Sequence, residues 1–386
     1  MKDEILFEIT KENLETGLRG YPVGYCTTSF VDPQKGLFYI GQPIKDLSTK
    51  EPIEVIYLLY HGAEGTNFQI EAFNKEIKKR SFLEESYLKY IYALPKKGHP
   101  MDLFCAAIQI LGMQEKKKEY REDCLDIIAK VPIVAAAVLN HHYGWGEEIA
   151  FEPELGYMEN FVQMLNCDSK DRELFTKLMK LFNILHYDHG GGNLSAFVGK
   201  AVASGHQHMY GSIVAAMNAL AGPLHGRANQ DCLAFVKKIH KELGEDATKE
   251  EMEHLLRKKI KEEEIIYGFG HAVLRMEDPR ASLFYSFAEE HFPNHPLVKS
   301  AFLLREVGPK VLSENEKISD PYPNVDAISG TLLTAAGFPY AEGYTLLFGL
   351  SRCVGIAIQI VYERLEAREG KGTPIVRPRY IFKSKK

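Results

Sequence analysis

Apolar residues recur at helical spacing through most of this chain, and strict alternation of the strand kind is rare. Pro52–Tyr60 carries a dense apolar face. Met101–Leu111 follows His99-Pro100 and places Asp102 in its first turn, a helix-start pattern. Pro132–Asn140 is apolar nearly all round, which predicts a buried helix. Asp171–Leu185, Ser212–Ala221, Thr331–Ala336 and a long segment from about Tyr340 to Ala367 complete the main helical predictions. The exception is Cys26–Ile40, where Thr, Val, Phe and Tyr surround Asp-Pro and Lys-Gly and predict a small hairpin. The pattern defines a mainly α protein with a small N-terminal β-hairpin.

From Asn229 to Glu264 the helices become charged and amphipathic, and Thr248-Lys-Glu-Glu251 reads as a capping box. Gly/Pro punctuation at 222–226 and 337–339 brackets this part. The expected organisation is a large helical domain from residues 1–225 and 337–386, with a small helical domain, 226–336, inserted. A ligand site then belongs in the cleft between them. The tail after Gly370 is basic, contains Pro and is expected to be extended.

Composition narrows the function classes. The 386 residues carry a formal net charge of -5, which argues against a nucleic-acid binder working through a basic surface. Six cysteines are scattered without CxxC pairing, which fits a reducing compartment and speaks against a thiolate zinc site. No signal peptide is visible at Met1-Lys-Asp-Glu-Ile. The apolar run Val131–Leu139 reads as too short to span a bilayer, and Thr345–Tyr362 is interrupted by Arg352. The expectation is a soluble, cytoplasmic protein with no membrane partner.

Four clusters carry candidate chemistry. Gly222-Pro-Leu-His225-Gly-Arg-Ala-Asn229 displays an imidazole on a tight turn after an apolar helix. His186-Tyr-Asp-His189-Gly-Gly-Gly-Asn193 has HxxH spacing that could place two imidazoles on one helical face, with His206 and His208 close behind. A metal-dependent hydrolase is the tempting reading, but no HExxH pattern or carboxylate cluster supports it. Ile265-Ile-Tyr-Gly268-Phe-Gly270-His271 leads through Arg275 to Asp278-Pro-Arg280. It lacks the third glycine of a dinucleotide loop. Its arginines are good anion ligands, or else partners of Glu277 and Asp278. Asn324-Val-Asp326 leads into an apolar helix, where the acid is either a desolvated base or an ordinary helix cap. Arg352 lies inside an apolar helix and must be paired or face an anion.

Taken in order, GPLHG around His225, GFGHAVLR…DPR around His271, NVDAISG around Asp326, and the Ser351-Arg352 and Arg377-Pro378 segments resemble citrate synthase over nearly the whole chain. The resemblance implies a two-domain helical homodimer that condenses acetyl-CoA, oxaloacetate and water to citrate and CoA, the first step of the tricarboxylic acid cycle. It implies an acyltransferase with acetyl-CoA as co-substrate and no bound cofactor or metal. His225, His271 and Asp326 are the implied catalytic residues. His189, Asn193, His271, Arg280 and Arg352 are implied to bind oxaloacetate, with Arg377 contributed across the dimer interface and Ser195 in support. Ile265, Ile266, Gly268, Gly270 and Arg275 are implied to hold CoA. The chain lacks the N-terminal extension of the larger NADH-regulated hexamers, so the simpler dimeric type is expected.

The chain also departs from the family pattern. Arg227 stands where a small or apolar residue is common, Tyr267 where Pro is usual and Phe269 where Tyr is frequent, and His189-Gly-Gly-Gly-Asn193 differs from the commoner sequences. A 2-methylcitrate synthase using propionyl-CoA is the nearest alternative, and a catalytically dead helical dimer that only binds CoA is a third.

Overall fold

The computed structural model describes residues 5–117, 119–147, 150–167, 171–316 and 318–384. The hairpin forms as expected and gains a third short strand: β1 (Ser29–Asp32), β2 (Gly36–Tyr39) and β3 (Gln42–Pro43) are antiparallel in that order. Ser29 pairs with Tyr39 and Asp32 with Gly36. The Asp32 carboxylate accepts the Gln34 and Lys35 N–H groups, each at 2.9 Å, and so holds the turn.

Helices follow in sequence: α1 (Ile44–Leu47), α2 (Pro52–His61), α3 (Asn67–Arg80), α4 (Glu85–Tyr92), α5 (Pro100–Glu115) and α6 (Tyr120–Tyr143). Then come α7 (Tyr157–Met164), α8 (Arg172–His186), α9 (Leu194–Ser204) and α10 (Met209–Leu220). A second group is α11 (Ala228–Leu243), α12 (Lys249–Lys261), α13 (Pro279–His291), α14 (Pro296–Leu312) and α15 (Asp326–Ala335). The chain returns through α16 (Tyr344–Val361), which widens into a π-helical turn at Tyr362–Glu366.

Helix α16 is the central strut and packs on α6, α8, α9 and α10, while α11 to α15 pack chiefly on one another. The capping box at Thr248–Glu251 forms, with reciprocal bonds of 2.8 and 3.2 Å. At α5, Pro100 takes the first helical position, and the His99 ring and Asp102 carboxylate cap it reciprocally.

Two sequence expectations need correction. The buried helix does not begin at Pro132 but runs from Tyr120 to Tyr143, straight through the proline. Proline cannot donate to the carbonyl four residues back, and the Tyr157 hydroxyl donates to that Ile128 oxygen at 2.7 Å instead. Second, Tyr120–Tyr143 and Ala341–Glu366 are both long and apolar enough to cross a membrane by composition. They are apolar because they form the core: 100% and 94% of their apolar windows are buried inside the protein.

Two close approaches tie the hairpin and the loops to the second group of helices. The Arg275 N–H donates to the Pro33 carbonyl at 2.8 Å. Gly36, at φ +93°, leaves no room for a side chain, because a Cβ there would lie 2.4 Å from the Pro279 ring. Gly268, at φ +86°, is pressed onto α15 and α11: a Cβ there would stand 2.9 Å from both Ala327 Cα and Cys232 Sγ. Replacing Gly268 with alanine is expected to cost about 1–3 kcal/mol of stability through backbone strain and contact. Denaturant melts check this, and an unchanged midpoint contradicts the close approach.

Candidate active site

His225 sits on a turn fixed by its own N–H to Gly222 O (3.0 Å) and by the Gly226 N–H to Leu220 O (2.9 Å). Its Nε2 lies 3.2 Å from the Ser195 backbone N and 3.0 Å from Ser195 Oγ. An amide N–H can only donate, so Nε2 accepts and the imidazole proton resides on Nδ1. Asn193 caps α9 and holds Ser195: its Oδ1 accepts from Ala196 N (3.0 Å) and from Ser195 Oγ (2.9 Å). Burial, and then the nearby Arg352 charge, push the His225 pKa down to about 4. The ring is therefore neutral at pH 7 and has one N–H left to give.

His271 obeys the same rule with the nitrogens exchanged. Its Nδ1 accepts the N–H groups of Val273 (3.0 Å) and Leu274 (2.9 Å), which leaves the proton on Nε2. Burial, followed by Arg280, lowers its pKa to about 4. The His271 and His189 rings stand 5.2 Å apart. Arg280 Nη2 lies 3.2 Å from His189 Nε2, and a guanidinium only donates, so His189 also carries its proton on Nδ1. Burial, then Arg280 and Arg352, lower the His189 pKa well below the usual range.

The loop bearing His271 is locked to the loop before Asp326. Gly270 N–H bonds Tyr322 O at 3.0 Å and Asn324 N–H bonds Gly268 O at 2.9 Å. Asn324 Nδ2 donates to Gly270 O at 3.0 Å. Phe269 pairs with Pro323 in an isolated antiparallel bridge. This ladder sets Asp326 at the first turn of α15. Among the described residues the Asp326 carboxylate accepts no helix N–H, and its own N–H is accepted by Asn324 Oδ1 at 3.0 Å. Burial raises the Asp326 pKa to about 6, with Arg280 opposing and Asp278 adding to the rise.

The arginines divide into two kinds. Arg280 is buried with Asp278, its Nη2 2.6 Å from Oδ2 and its Nε 3.1 Å from Oδ1. Burial alone lifts the Asp278 carboxyl, but the Arg280 charge and hydrogen bonds outweigh it and hold Asp278 below the ordinary value. Glu277 is engaged elsewhere, by Arg305 at 2.6 Å. Arg352, only 2% exposed, has no carboxylate within 4 Å among the described residues. Its Nε donates to His186 O at 3.1 Å and its guanidinium lies 4.7 Å from the Phe348 ring centre. Burial lowers its pKa to about 10, because the Asp188 charge nearby only partly offsets the loss of water.

Asp188, absent from the sequence-based site, anchors this wall. Its carboxylate accepts the Thr28 hydroxyl, Gln359 Nε2 (2.7 Å) and His189 N–H (2.9 Å). A lone Asp between two histidines gives no sequence signal for that role, because its partners Thr28 and Gln359 are remote in the chain.

Ile265 is exposed, Ile266 half-buried, and Gly270 has φ +83°. Arg275 folds back on its own loop, donating to Leu274 O at 2.6 Å. Arg377 lies in the exposed, extended tail and makes no hydrogen bond or ion pair with the described residues of its own chain. Arg227 donates from Nε to Ala221 O at 2.8 Å. The proposed HxxH face does not exist, because α8 ends at His186 and His189 lies beyond it. His186 is buried, its Nδ1 2.8 Å from Phe182 O, and His208 Nδ1 caps α10 at the Gly211 N–H (3.1 Å). Among the described residues no three His, Cys, Asp or Glu side chains gather to hold a metal ion.

Two neutral imidazoles, a carboxyl with a raised pKa and two buried arginines are the chemically distinctive groups of this structure, and comparison with known proteins identifies the class of protein that carries them. The family described as "Citrate synthase, C-terminal domain" matches residues 17–379. The mitochondrial citrate synthase of Daucus carota is 36% identical over 400 residues, covering 97% of this chain and 83% of that protein. Mitochondrial citrate synthase 4 of Arabidopsis thaliana is 38% identical, covering 93% and 80%. Among solved structures, citrate synthase from Thermotoga maritima MSB8 superposes with a TM-score of 0.82 at 27% identity, covering 96% of each chain. A ternary complex of carboxymethyl coenzyme A and oxaloacetate with the Thermoplasma acidophilum enzyme gives 0.81 at 25% identity, also covering 96% of each. The chain belongs to the citrate synthase family.

Burial of Arg352, only partly offset by the Asp188 charge, costs on the order of 3 kcal/mol in the free protein. Arg352→Met is expected to raise the thermal midpoint by a few degrees and to abolish the further rise caused by a small dicarboxylate such as oxaloacetate. Thermal melts with and without the ligand check this. A dicarboxylate shift that survives in the variant contradicts the anion assignment.

Proposed function

We propose that this protein is a citrate (Si)-synthase that condenses acetyl-CoA, oxaloacetate and water to citrate and CoA, the first step of the tricarboxylic acid cycle. What supports this reading is that two neutral imidazoles, each with one free N–H, and a raised-pKa carboxylate lie within electrostatic reach of two buried arginines: Arg352 acts on His225, Arg280 on His271 and Asp326, and both on His189.

A thioester methyl group is a very weak acid and a carboxylate a weak base. The proton moves only if the enolate is stabilised as it forms. Asp326 takes the methyl proton while His225 donates from Nδ1 to the thioester oxygen. His271 donates from Nε2 to the oxaloacetate ketone and makes its carbon electrophilic. Arg280, Arg352 and His189 hold the carboxylates, with Arg377 of the partner subunit completing the cage of a homodimer. Asn193 and Ser195 keep His225 in register. Ile265, Ile266, Gly268, Gly270 and Arg275 line the CoA side. Residues 226–336 act as a small domain that closes on residues 1–225 and 337–386, which excludes water until citryl-CoA has formed. The reading needs no bound cofactor or metal, and six free cysteines favour the cytoplasm.

Acetyl-CoA is preferred to propionyl-CoA as donor because the similar relatives are named citrate synthases. One methylene changes the rate by roughly 10–200-fold, so pocket shape decides the preference. A thiol-release assay with oxaloacetate and an acyl-CoA panel tests the proposal: kcat/KM at least about tenfold higher for acetyl-CoA supports it. Preference for propionyl-CoA makes the protein a 2-methylcitrate synthase, and no thiol release with any donor rejects the condensation.

The pH dependence follows from the raised acid. Asp326 is a base only when ionised, so kcat/KM for acetyl-CoA should fall about tenfold per pH unit below about pH 6. Folding gains from protonating this group, so its contribution to stability is present below about pH 4 and lost as pH rises to about 6. Asp326→Asn should therefore abolish turnover yet raise the melting temperature at pH 7. A variant that is active, or less stable at pH 7 than the parent, contradicts the assignment.

A further inference from the structure

The tail that follows the π-helical turn is fastened to α9 by residues to which the proposed condensation assigns no role. Arg364, in the π-helical turn, is only 8% exposed and has no carboxylate within 4 Å among the described residues. Its Nη1 donates to Ala203 O at 3.3 Å, in the last turn of α9, and its Nη2 donates to Thr373 O at 2.6 Å. The Thr373 N–H returns to Glu363 O at 2.8 Å. Gly372, at φ +70°, makes room for the guanidinium, since a Cβ there would lie 2.5 Å from Nη2. Glu363 pairs with Lys200 of α9 at 3.3 Å, both largely buried. Three residues past Thr373, the Val376 N–H donates to Ser204 Oγ at 2.9 Å. The next residue is Arg377, exposed and without a hydrogen bond or ion pair to the described residues of its own chain.

We infer that Arg364 is a positioning residue that presents Arg377 to the partner subunit's site, with α9 as the rigid mount. A buried guanidinium normally needs a carboxylate, yet this one is satisfied by two backbone carbonyls that belong to α9 and to the tail. An extended chain advances at most about 3.6 Å per residue, so one residue of slack remains between the Ser204 anchor and Arg377. The same helix begins at Asn193 and Ser195, which hold His225. At about 1.5 Å per residue, α9 spans about 16 Å. Its two ends therefore serve two different sites: its first turn orients a histidine of its own cleft, and its last turn aims an arginine away from it. The π turn, a feature frequent at functional positions, swings Glu363 and Arg364 onto α9 together.

This inference rests on the reading that Arg377 binds oxaloacetate across the dimer, and the test separates the two. Arg377→Ala, Arg364→Ala, Arg364→Lys and Ser204→Ala are assayed as full-length protein, with thermal melts to confirm folding. Arg377→Ala should raise the oxaloacetate KM at least about tenfold, because a charge-assisted contact is lost. If that KM is unchanged, the reading of Arg377 falls. Given that rise, Arg364→Ala should reproduce it with the acetyl-CoA KM within about twofold of the parent, and Arg364→Lys should recover part of it. Should Arg364→Ala not fold, Ser204→Ala carries the test, with an expected oxaloacetate-specific rise of about threefold. If Arg377→Ala raises the KM while the folded Arg364 and Ser204 variants leave it unchanged, or lose both substrates equally, the positioning role is overturned. A tagged mixed dimer gives the decisive readout. One chain carries Asp326→Ala with an intact tail, and the other carries Arg364→Ala with an intact base. Arg364 acting on the partner predicts the parental oxaloacetate KM at the surviving site; a raised KM there places its effect within its own subunit and overturns the inference.

Discussion

Backbone amides decide which nitrogen of His225 and of His271 carries the proton, and the proposed condensation depends on that choice. The Ser195 N–H occupies His225 Nε2, and the Val273 and Leu274 N–H groups occupy His271 Nδ1. Burial keeps both rings neutral. A protonated imidazole could not accept these amides, so charging either ring would break its anchor as well as bury a cation. In the proposed condensation the donor nitrogens are thereby fixed before substrate arrives, and no reorganisation is required when negative charge develops.

Around these donors the protein tolerates arrangements that weaken the free fold. Arg352 is a buried cation whose burial the Asp188 charge offsets only in part, and Asp326 is an acid denied its usual solvation. Arg280 shows the contrasting solution: Asp278 neutralises it and leaves its geometry rigid. The difference matters, because a paired arginine orients what it touches, whereas an unpaired one supplies charge to the ligand. The long buried helices α6 and α16 provide the rigid frame against which these costs are held.

Much of this was legible in the sequence. Local chemistry marked the hairpin, the cap at His99-Pro100 and the capping box at Thr248. The order of His225, His271, Arg280, Asp326 and Arg352 identified the family. What stayed hidden depends on tertiary contact. Helix α6 continues through Pro132 because Tyr157, distant in sequence, satisfies the stranded carbonyl. The HxxH spacing suggested a shared face, but α8 stops at His186 and Asp188 turns inward to the hairpin. The ladder between Gly268–Gly270 and Tyr322–Asn324 joins segments that carry no pairing pattern of their own.

The most direct test of this account is the protonation state of the two imidazoles. Histidine labelled with nitrogen-15, assigned by single His225→Gln and His271→Gln variants, reports each ring nitrogen by NMR in the folded protein. The account predicts that both rings stay singly protonated from pH 7 down to about pH 5, with the proton on Nδ1 of His225 and on Nε2 of His271. An imidazolium signal from either ring at pH 7, or the opposite tautomer at either one, would contradict it.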